Sequence, residues 1–225
     1  MKKVFFNIFI LAALGLQAQS NLSAKQIWIN YVDSFGDATQ IRNIKTSYTK
    51  ANVLVDTVKF TTEIYTRYPD KLRYTIENSS QKITYILNGD TGIFIFNDSI
   101  SPLSKKDISN YKYMALVFPE FYYIDLGYTF DLMGIEVVDN KQYYKIKTHS
   151  PKQEEELIYY INTKDYTILK LIVDNQITTI TEIAKIDGIR MVKSSEFNVD
   201  NNTMKMEKQI IKFNIEIDDT IFELK

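Results

Sequence analysis

Between positions 60 and 97 the chain alternates regularly between apolar and polar side chains. Residues such as Ile64 and Tyr74 alternate with charged ones such as Glu63. A period of two residues gives each strand one dry face and one face in water. Turn-forming residues divide the stretch into four strands, at 68–71, 78–80 and 88–90. The pattern therefore predicts an antiparallel meander with one solvated face.

The same alternation assigns neighbouring side chains of this meander to opposite faces of the sheet. The residues predicted for the covered face are Leu72, Tyr74, Ile83, Tyr85 and Leu87. Those predicted for the face in water are Arg73, Glu77 and Lys82. A register shift of one residue would exchange the two sets, so their placement is a direct check on the fold.

Strand-like segments continue on both sides of the meander. The candidates are 41–55, 135–138, 142–149, 156–162, 168–174, 177–186, 190–199 and 203–217. Short turns rich in Asp, Asn and Gly separate most of them, and connections of this length force antiparallel neighbours. About eleven consecutive strands cannot stay flat, so we expect a mainly β fold, a strongly curved antiparallel half-barrel.

Two helices are also predicted, at 23–35 and 104–118. The first begins with the capping-box pair Ser23 and Gln26 and carries an apolar stripe with a period of four residues. The second begins at Ser104, another residue suited to cap a helix. Both are therefore expected to pack one face against the sheet.

The N-terminus has the features of a secretory signal peptide. Two lysines precede an apolar run at 4–16, which is too short for an ordinary membrane-spanning helix. We expect residues 1–18 to be the signal segment, with cleavage after residue 18 or after residue 20. A retained membrane anchor is the alternative, but no stop-transfer flank follows the run. Residues 19–225 are expected to form a single domain.

Composition narrows the function further. The 27 basic and 28 acidic side chains give a net charge of −1, which favours neither nucleic acid nor an anionic membrane as a partner. The chain has no cysteine, so it can form no disulfide and carry no cysteine-linked lipid. We expect a soluble monomer.

Aromatic residues are abundant, with 16 Tyr, 13 Phe and one Trp. One interpretation is strand propensity, because aromatic side chains suit half-buried pleated surfaces. The other is an apolar cavity lined by amphipathic rings, because Tyr68, Tyr74 and Tyr85 take positions expected to point inward. The sequence leaves both interpretations open.

Candidate catalytic and metal-binding residues are few. His149 is the single histidine; without cysteine it cannot form an ordinary zinc site, and no oriented partner for a general base is indicated. The acidic run 154–156 follows a proline in a predicted hairpin loop, where a solvated charge run is the better interpretation. No phosphate-binding loop or nucleophile motif is present. We therefore expect no enzyme activity, metal or cofactor.

Two segments of the meander resemble the LolA/LolB family of periplasmic lipoprotein carriers. They are 67–74, RYPDKLRY, and 85–96, YILNGDTGIFIF. The family has a strand ending in a basic residue and proline, a short turn, and a strand with a central aromatic residue. A further strand then leads to an Asp-Gly-type turn and an aromatic-rich strand. The order of elements elsewhere in this chain is similar.

The resemblance implies that the helices cover the concave face of the sheet and enclose a cavity for an apolar ligand. The implied lining residues are Trp28, Tyr31, Ile64, Tyr68, Leu72, Tyr74, Ile83, Tyr85 and Leu87. The implied lid residues are Ile108, Tyr111, Ala115, Phe118 and Phe121. The aromatic segment 121–130 belongs to this lid in the family; a surface helix with a hydrophobic return loop is the alternative.

One family feature is replaced in this chain. LolA-type carriers have an arginine directly before the turn proline, which holds the lid closed, and Tyr68 stands at that position here. Arg67 is one residue earlier and should point to the opposite face. The tyrosine hydroxyl could supply one hydrogen bond instead, worth about 1 kcal/mol.

The resemblance implies a non-enzymatic periplasmic carrier or chaperone that binds the acyl chains of outer-membrane lipoproteins. Its implied partners are lipid or lipoprotein acyl chains, an inner-membrane release complex and an outer-membrane acceptor. The alternative is a lipid- or protein-sensing interaction domain of the same fold, similar to RseB. Fold alone does not choose between the two.

Overall fold

The computed structural model describes residues 22–151, 156–174, 176–199 and 202–225. The predicted signal segment and its cleavage site lie outside these residues. The described chain is mainly β, with one curved antiparallel sheet that does not close into a barrel. This confirms the predicted fold class.

Thirteen strands form the sheet. The first six are β1 (Thr46–Val55), β2 (Val58–Arg67), β3 (Lys71–Glu77), β4 (Lys82–Asn88), β5 (Thr91–Phe96) and β6 (Ser99–Pro102). The others are β7 (Thr129–Val138), β8 (Lys141–His149), β9 (Glu156–Asn162), β10 (Ile168–Val173), β11 (Gln176–Ile186), β12 (Ile189–Val199) and β13 (Asn202–Phe213). Consecutive strands are neighbours within each half, and β1 pairs with β13 to join the halves. β6 and β7 are therefore the two edges.

Three α-helices accompany the sheet in the described residues: α1 (Ala24–Asp33), α2 (Ala38–Arg42) and α3 (Lys105–Ala115). α1 packs on β7 and β8, and α3 packs on β3 and β4. Phe213, Ser47, Thr66 and Leu72 lie directly opposite one another on four neighbouring strands, so they share one face. Phe213 packs against the α1 core and Leu72 against α3. Both helices therefore lie on this face, which we call the helix face.

The helix starts agree with the predicted caps. Ser23 Oγ accepts a hydrogen bond from Gln26 N at 3.2 Å, but the Gln26 side chain binds Asn30, so only half of the predicted capping box forms. At α3 both halves are present, because Ser104 Oγ accepts from Asp107 N while Asp107 Oδ2 accepts from Ser104 N.

Three sequence predictions about the strands need correction. The sheet has thirteen strands rather than about eleven, and β6 is the one that no predicted strand covers. β7 begins at Thr129, ahead of the predicted 135–138. Residues 41 and 42 belong to α2, where Asp37 caps the helix by accepting from Gln40 N at 2.7 Å. The last strand ends at Phe213 because Asn214 has a left-handed backbone, with φ of 51°.

The predicted faces of the meander are confirmed by the pairing register. Leu72 lies opposite Leu87, Tyr74 opposite Tyr85, and Ile76 opposite Ile83, all on the helix face. The alternate side chains point away from the helices: Arg73 donates to Ile221 O at 3.0 Å, and Lys82 pairs with Glu77 at 3.3 Å.

The face opposite the helix face, which we call the outer face, is only partly in water, because the C-terminal segment packs on it. A 3-10 turn at Asp219–Phe222 contacts β3 and β4, and the Phe222 side chain is fully buried. Arg67 points to this face, as predicted, and donates to Ile217 O at 2.6 Å. Its Nε also lies 3.0 Å from Asp219 Oδ1, close enough for an ion pair although not aligned for a hydrogen bond.

Candidate functional site

The space between α1 and the sheet is filled by an aromatic core centred on Trp28. The Trp28 ring lies 4.8–5.4 Å, centroid to centroid, from the rings of Tyr31, Tyr123, Phe130 and Tyr159. Trp28 is fully buried, and such edge-on and stacked pairs stabilise a packed interior. Trp28 therefore lies in close-packed core.

A second packed cluster lies under α3. Leu72, Leu87 and Ala115 are each fully buried there. Four more of the predicted site residues pack against them: Ile64, Tyr74, Ile108 and Tyr111. The Tyr85 ring lies 4.8 Å from that of Tyr111, so α3 rests directly on the sheet. The predicted lid helix and the predicted lining residues are therefore neighbours, as expected. They pack directly against each other instead of facing each other across a cavity.

The remaining predicted residues are scattered. Phe118 and Phe121 are buried in the α1 core, and Ile83 is partly buried opposite Phe96. The inward orientation expected of Tyr68 is wrong, because its side chain is 40% exposed on a turn that precedes a cis proline. Its ring lies 6.1 Å from that of Tyr122 and 5.0 Å from Lys45 Nζ, at the surface.

A pocket of about 210 Å³ opens on the helix face beside the aromatic core. One wall is the end of α1 and the other is the segment 117–120 that follows α3. The floor comes from β10 to β13. The apolar lining residues are Tyr31, Phe35, Val117, Phe118, Pro119, Tyr166, Ile168, Ile183, Met191 and Val192. Of the predicted site residues, only Tyr31 and Phe118 line it.

Three charged side chains line this mainly apolar pocket: Glu120 from the wall, and Arg190 and Lys208 from the floor. Burial raises the pKa of the Glu120 carboxyl, and the charge of Lys208 partly offsets this. Burial lowers the pKa of the Lys208 ammonium, and Glu120 opposes the change. Within the described chain neither side chain forms a hydrogen bond or a direct ion pair with another side chain. Both groups are partly buried in a mainly apolar setting, and neither is engaged with another side chain of the described residues.

Sequence alternation alone could not assign Lys208 to this pocket. Lys208 lies opposite Ala51, but the next pair toward the C-terminus is Ile210 with Lys50, so β13 carries one extra residue at this point. The one sequence signal is that the apolar positions of β13 have even numbers before the bulge, as at Met206, and include odd numbers after it, as at Ile211. For Glu120 the signal was an acidic residue inside an apolar and aromatic run.

A larger depression of about 840 Å³ lies on the opposite face and differs in character. It is lined by charged side chains such as Lys50, Glu63 and Glu77, and Lys50 pairs with Glu63 at 3.0 Å. Glu77 also pairs with Lys82, and Lys205 with Glu196, so many of the charged groups here are exposed and paired with each other.

His149 has one partner that the sequence did not indicate. Its Nε2 lies 2.8 Å from Asp131 Oδ2 across β7 and β8, with both side chains at the surface. No group of three or more His, Cys, Asp or Glu side chains in the described ranges could hold a metal ion. Among the same residues, no helix combines the length and apolar character needed to cross a bilayer.

Neither a family model nor a curated protein matches this chain. Solved structures do match it. A DUF1329 family protein from Desulfovibrio piger has a TM-score of 0.63 at 13% identity, over 90% of this chain and 98% of its own. A LolA superfamily protein from Nitrosomonas europaea has a TM-score of 0.59 at 12% identity, over 90% of this chain and 98% of its own. A domain from Vibrio parahaemolyticus, named for outer-membrane lipoprotein sorting, has a TM-score of 0.62 at 8% identity, over 88% of this chain and 97% of its own.

These similarities extend over nearly the whole of each structure, so they concern the complete architecture. The class is that of curved, unclosed antiparallel sheets with helices on one face. Within that class the chain has the LolA-like fold. At this level of sequence identity the similarity establishes the fold alone. The ligand has to be inferred from the chemistry of the site.

Proposed function

We propose that the chain is a non-enzymatic carrier that binds an acyl chain of a lipid or lipoprotein on the helix face. The observation that supports this most directly is the pocket of about 210 Å³, lined mainly by aliphatic and aromatic side chains. Apolar pockets with a few convergent polar groups are the usual form of a small-molecule site. Export through the signal segment would place this activity in the periplasm.

The pocket is smaller than the roughly 300–1,000 Å³ of typical ligand sites. A long chain therefore needs further room, and the cluster under α3 could supply it. α3 packs mainly on β3 and β4, and its apolar underside faces Leu72 and Leu87. Lifting α3 would open the part of the predicted lining that packs beneath it, around Leu72, Leu87 and Tyr74.

Hydrophobic burial is strong enough for such binding. Each methylene removed from water contributes about 0.8 kcal/mol, so a dozen contribute about 8–10 kcal/mol. Loss of translational and conformational freedom offsets part of this. We expect a dissociation constant of about micromolar.

A displacement assay with a fluorescent fatty acid tests the proposal. Met191→Asp places a charge in the pocket and should abolish saturable uptake, while Met191→Trp should weaken it by filling the pocket without a charge. Ile177→Asp is the matched control, because Ile177 is 42% exposed on β11 and outside the pocket. His149→Ala should also bind like the wild type.

Circular dichroism on each variant separates loss of binding from loss of fold. If the folded wild type shows no saturable uptake, the carrier proposal fails. The sensing alternative, in which this fold detects a lipid or protein, would then take its place.

A further inference from the structure

Lys208 is an unusual group to find on the floor of an apolar pocket. It stands in β13 between strands that otherwise present apolar or small side chains to the helix face, such as Ala51 directly opposite. The other cation in the lining, Arg190, is already engaged, since its Nη1 donates to Asp165 O at 3.2 Å. In the described residues the Lys208 ammonium has no such partner. Lys208 is partly buried, and its side chain lines an apolar pocket, where a bound anion would gain a charge-assisted hydrogen bond.

Glu120 lines the same pocket from the opposite wall, and each of the two charges influences the pKa of the other. Its position limits which anion the pocket can take. A monoanion next to Lys208 would gain a charge-assisted hydrogen bond. A second negative charge would meet Glu120 in a poorly solvated space, where repulsion between like charges is strong.

We propose that the ligand of this pocket is an anionic amphiphile, a fatty acid whose carboxylate binds the Lys208 ammonium while its chain packs on the apolar walls. This rests on the proposed function and specifies its ligand. It separates a free fatty acid from the acyl groups of a lipoprotein, which are esters and amides and carry no carboxylate. Ile168, Ile183 and Met191 would contact the first methylenes.

Chain length should show where the pocket ends. Affinity should rise about fourfold for each methylene that becomes buried. The rise should level off once the pocket of about 210 Å³ is full, unless α3 lifts. A series from butanoate to hexadecanoate measures this directly.

The decisive experiment compares octanoate with methyl octanoate, which differ in charge at the head. Isothermal titration calorimetry on wild type should give tighter binding of the acid by about tenfold to a hundredfold. Lys208→Met should remove that preference and leave the ester unchanged. Glu120→Gln should act in the opposite direction and tighten octanoate alone, because it removes the carboxylate that competes for Lys208.

Lys212→Met is the matched control. Lys212 lies four residues along β13 and is exposed, so the variant makes the same change in net charge outside the pocket. It should bind both ligands like the wild type. Thermal unfolding of every variant checks that the fold is retained.

The outcomes distinguish this inference from the proposed function. Equal affinity for acid and ester in wild type, or a preference that survives Lys208→Met in folded protein, would overturn the fatty-acid assignment while leaving acyl binding intact. Absence of binding for both ligands across the whole chain-length series would overturn both.

Discussion

At the scale of single residues, Thr148 stands out because it is fully buried on β8 and its Oγ1 has no hydrogen-bond partner among the described residues. Its neighbours across the adjacent strands are Phe130 and Leu157. A buried hydroxyl without a partner retains the cost of leaving water. The position therefore reduces stability.

Replacing this residue by valine removes the hydroxyl and keeps the β-branched shape that a strand favours. We expect Thr148→Val to raise the free energy of unfolding by about 1–2 kcal/mol. Urea denaturation measures the change, with Thr163→Val at a hairpin turn as a control. A destabilised Thr148→Val protein would show that the hydroxyl has a partner after all.

Glu120 gives the protein a predictable dependence on pH. Its pKa is raised above the ordinary value of 4.5 by burial, so the folded state binds this proton more tightly than the unfolded state. Stability must then fall as pH rises from below 4.5 through the folded-state pKa, and stay reduced above it.

Glu120→Gln removes this titration. We expect the difference in unfolding free energy between Glu120→Gln and wild type to shift in favour of the variant between pH 4 and pH 7. Denaturation at a series of pH values measures the shift, with Glu216→Gln at an exposed position as the matched control. A difference that does not change with pH would contradict the raised pKa of Glu120.

Sequence reasoning at this scale succeeded where alternation was undisturbed. It assigned Leu72, Tyr74 and Tyr85 to the helix face, and the pairing register agrees. It failed at Lys208, because β13 carries a one-residue bulge where it pairs with β1. Contacts between parts of the chain that are distant in sequence set the position of such a bulge.

At the scale of elements, the C-terminal segment is a part of the fold that alternation did not reveal. Its backbone carbonyls accept hydrogen bonds from three side chains of the meander: Arg67, Arg73 and Asn88. The partners are about 130–150 positions apart in the chain, so no local pattern could indicate the contact. The segment fixes the outer face of β3 and β4 while α3 covers the other.

Phe222 anchors this segment, and its side chain is fully buried. We expect Phe222→Ala to lower the free energy of unfolding by about 3–5 kcal/mol, through lost burial and the cavity left behind. Leu224→Ala should have little effect, because Leu224 is 37% exposed. Chemical denaturation compares the two, and a similar small loss for both would show that the segment is not docked.

Local signals did predict other elements. Ser23 and Ser104 marked the starts of α1 and α3, because side-chain caps are short-range interactions. α2 was missed because its last two residues, 41 and 42, were assigned to the predicted strand 41–55, although Asp37 provides a cap.

At the scale of the whole molecule, the curved antiparallel sheet followed from the number of strands and the shortness of their turns. The packing of the interior could not be predicted from the sequence in the same way. Whether the helices enclose one large cavity or pack closely depends on contacts such as Trp28 with Phe130 and Tyr159, which join distant parts of the chain. The structure leaves a small, mainly apolar pocket with a few charged groups beside a packed core, and we expect the ligand to bind there.

The most direct test is to locate the bound chain by photo-crosslinking. A fatty acid with a diazirine near its carboxylate end is irradiated with the mature protein, and the labelled peptides are mapped by mass spectrometry. We expect saturable labelling of peptides containing Ile168, Met191 or Pro119, suppressed by excess octanoate and by Met191→Asp. Labelling that is unsaturable, or that is confined to the outer face around Lys50 and Glu63, would contradict an acyl-binding site on the helix face.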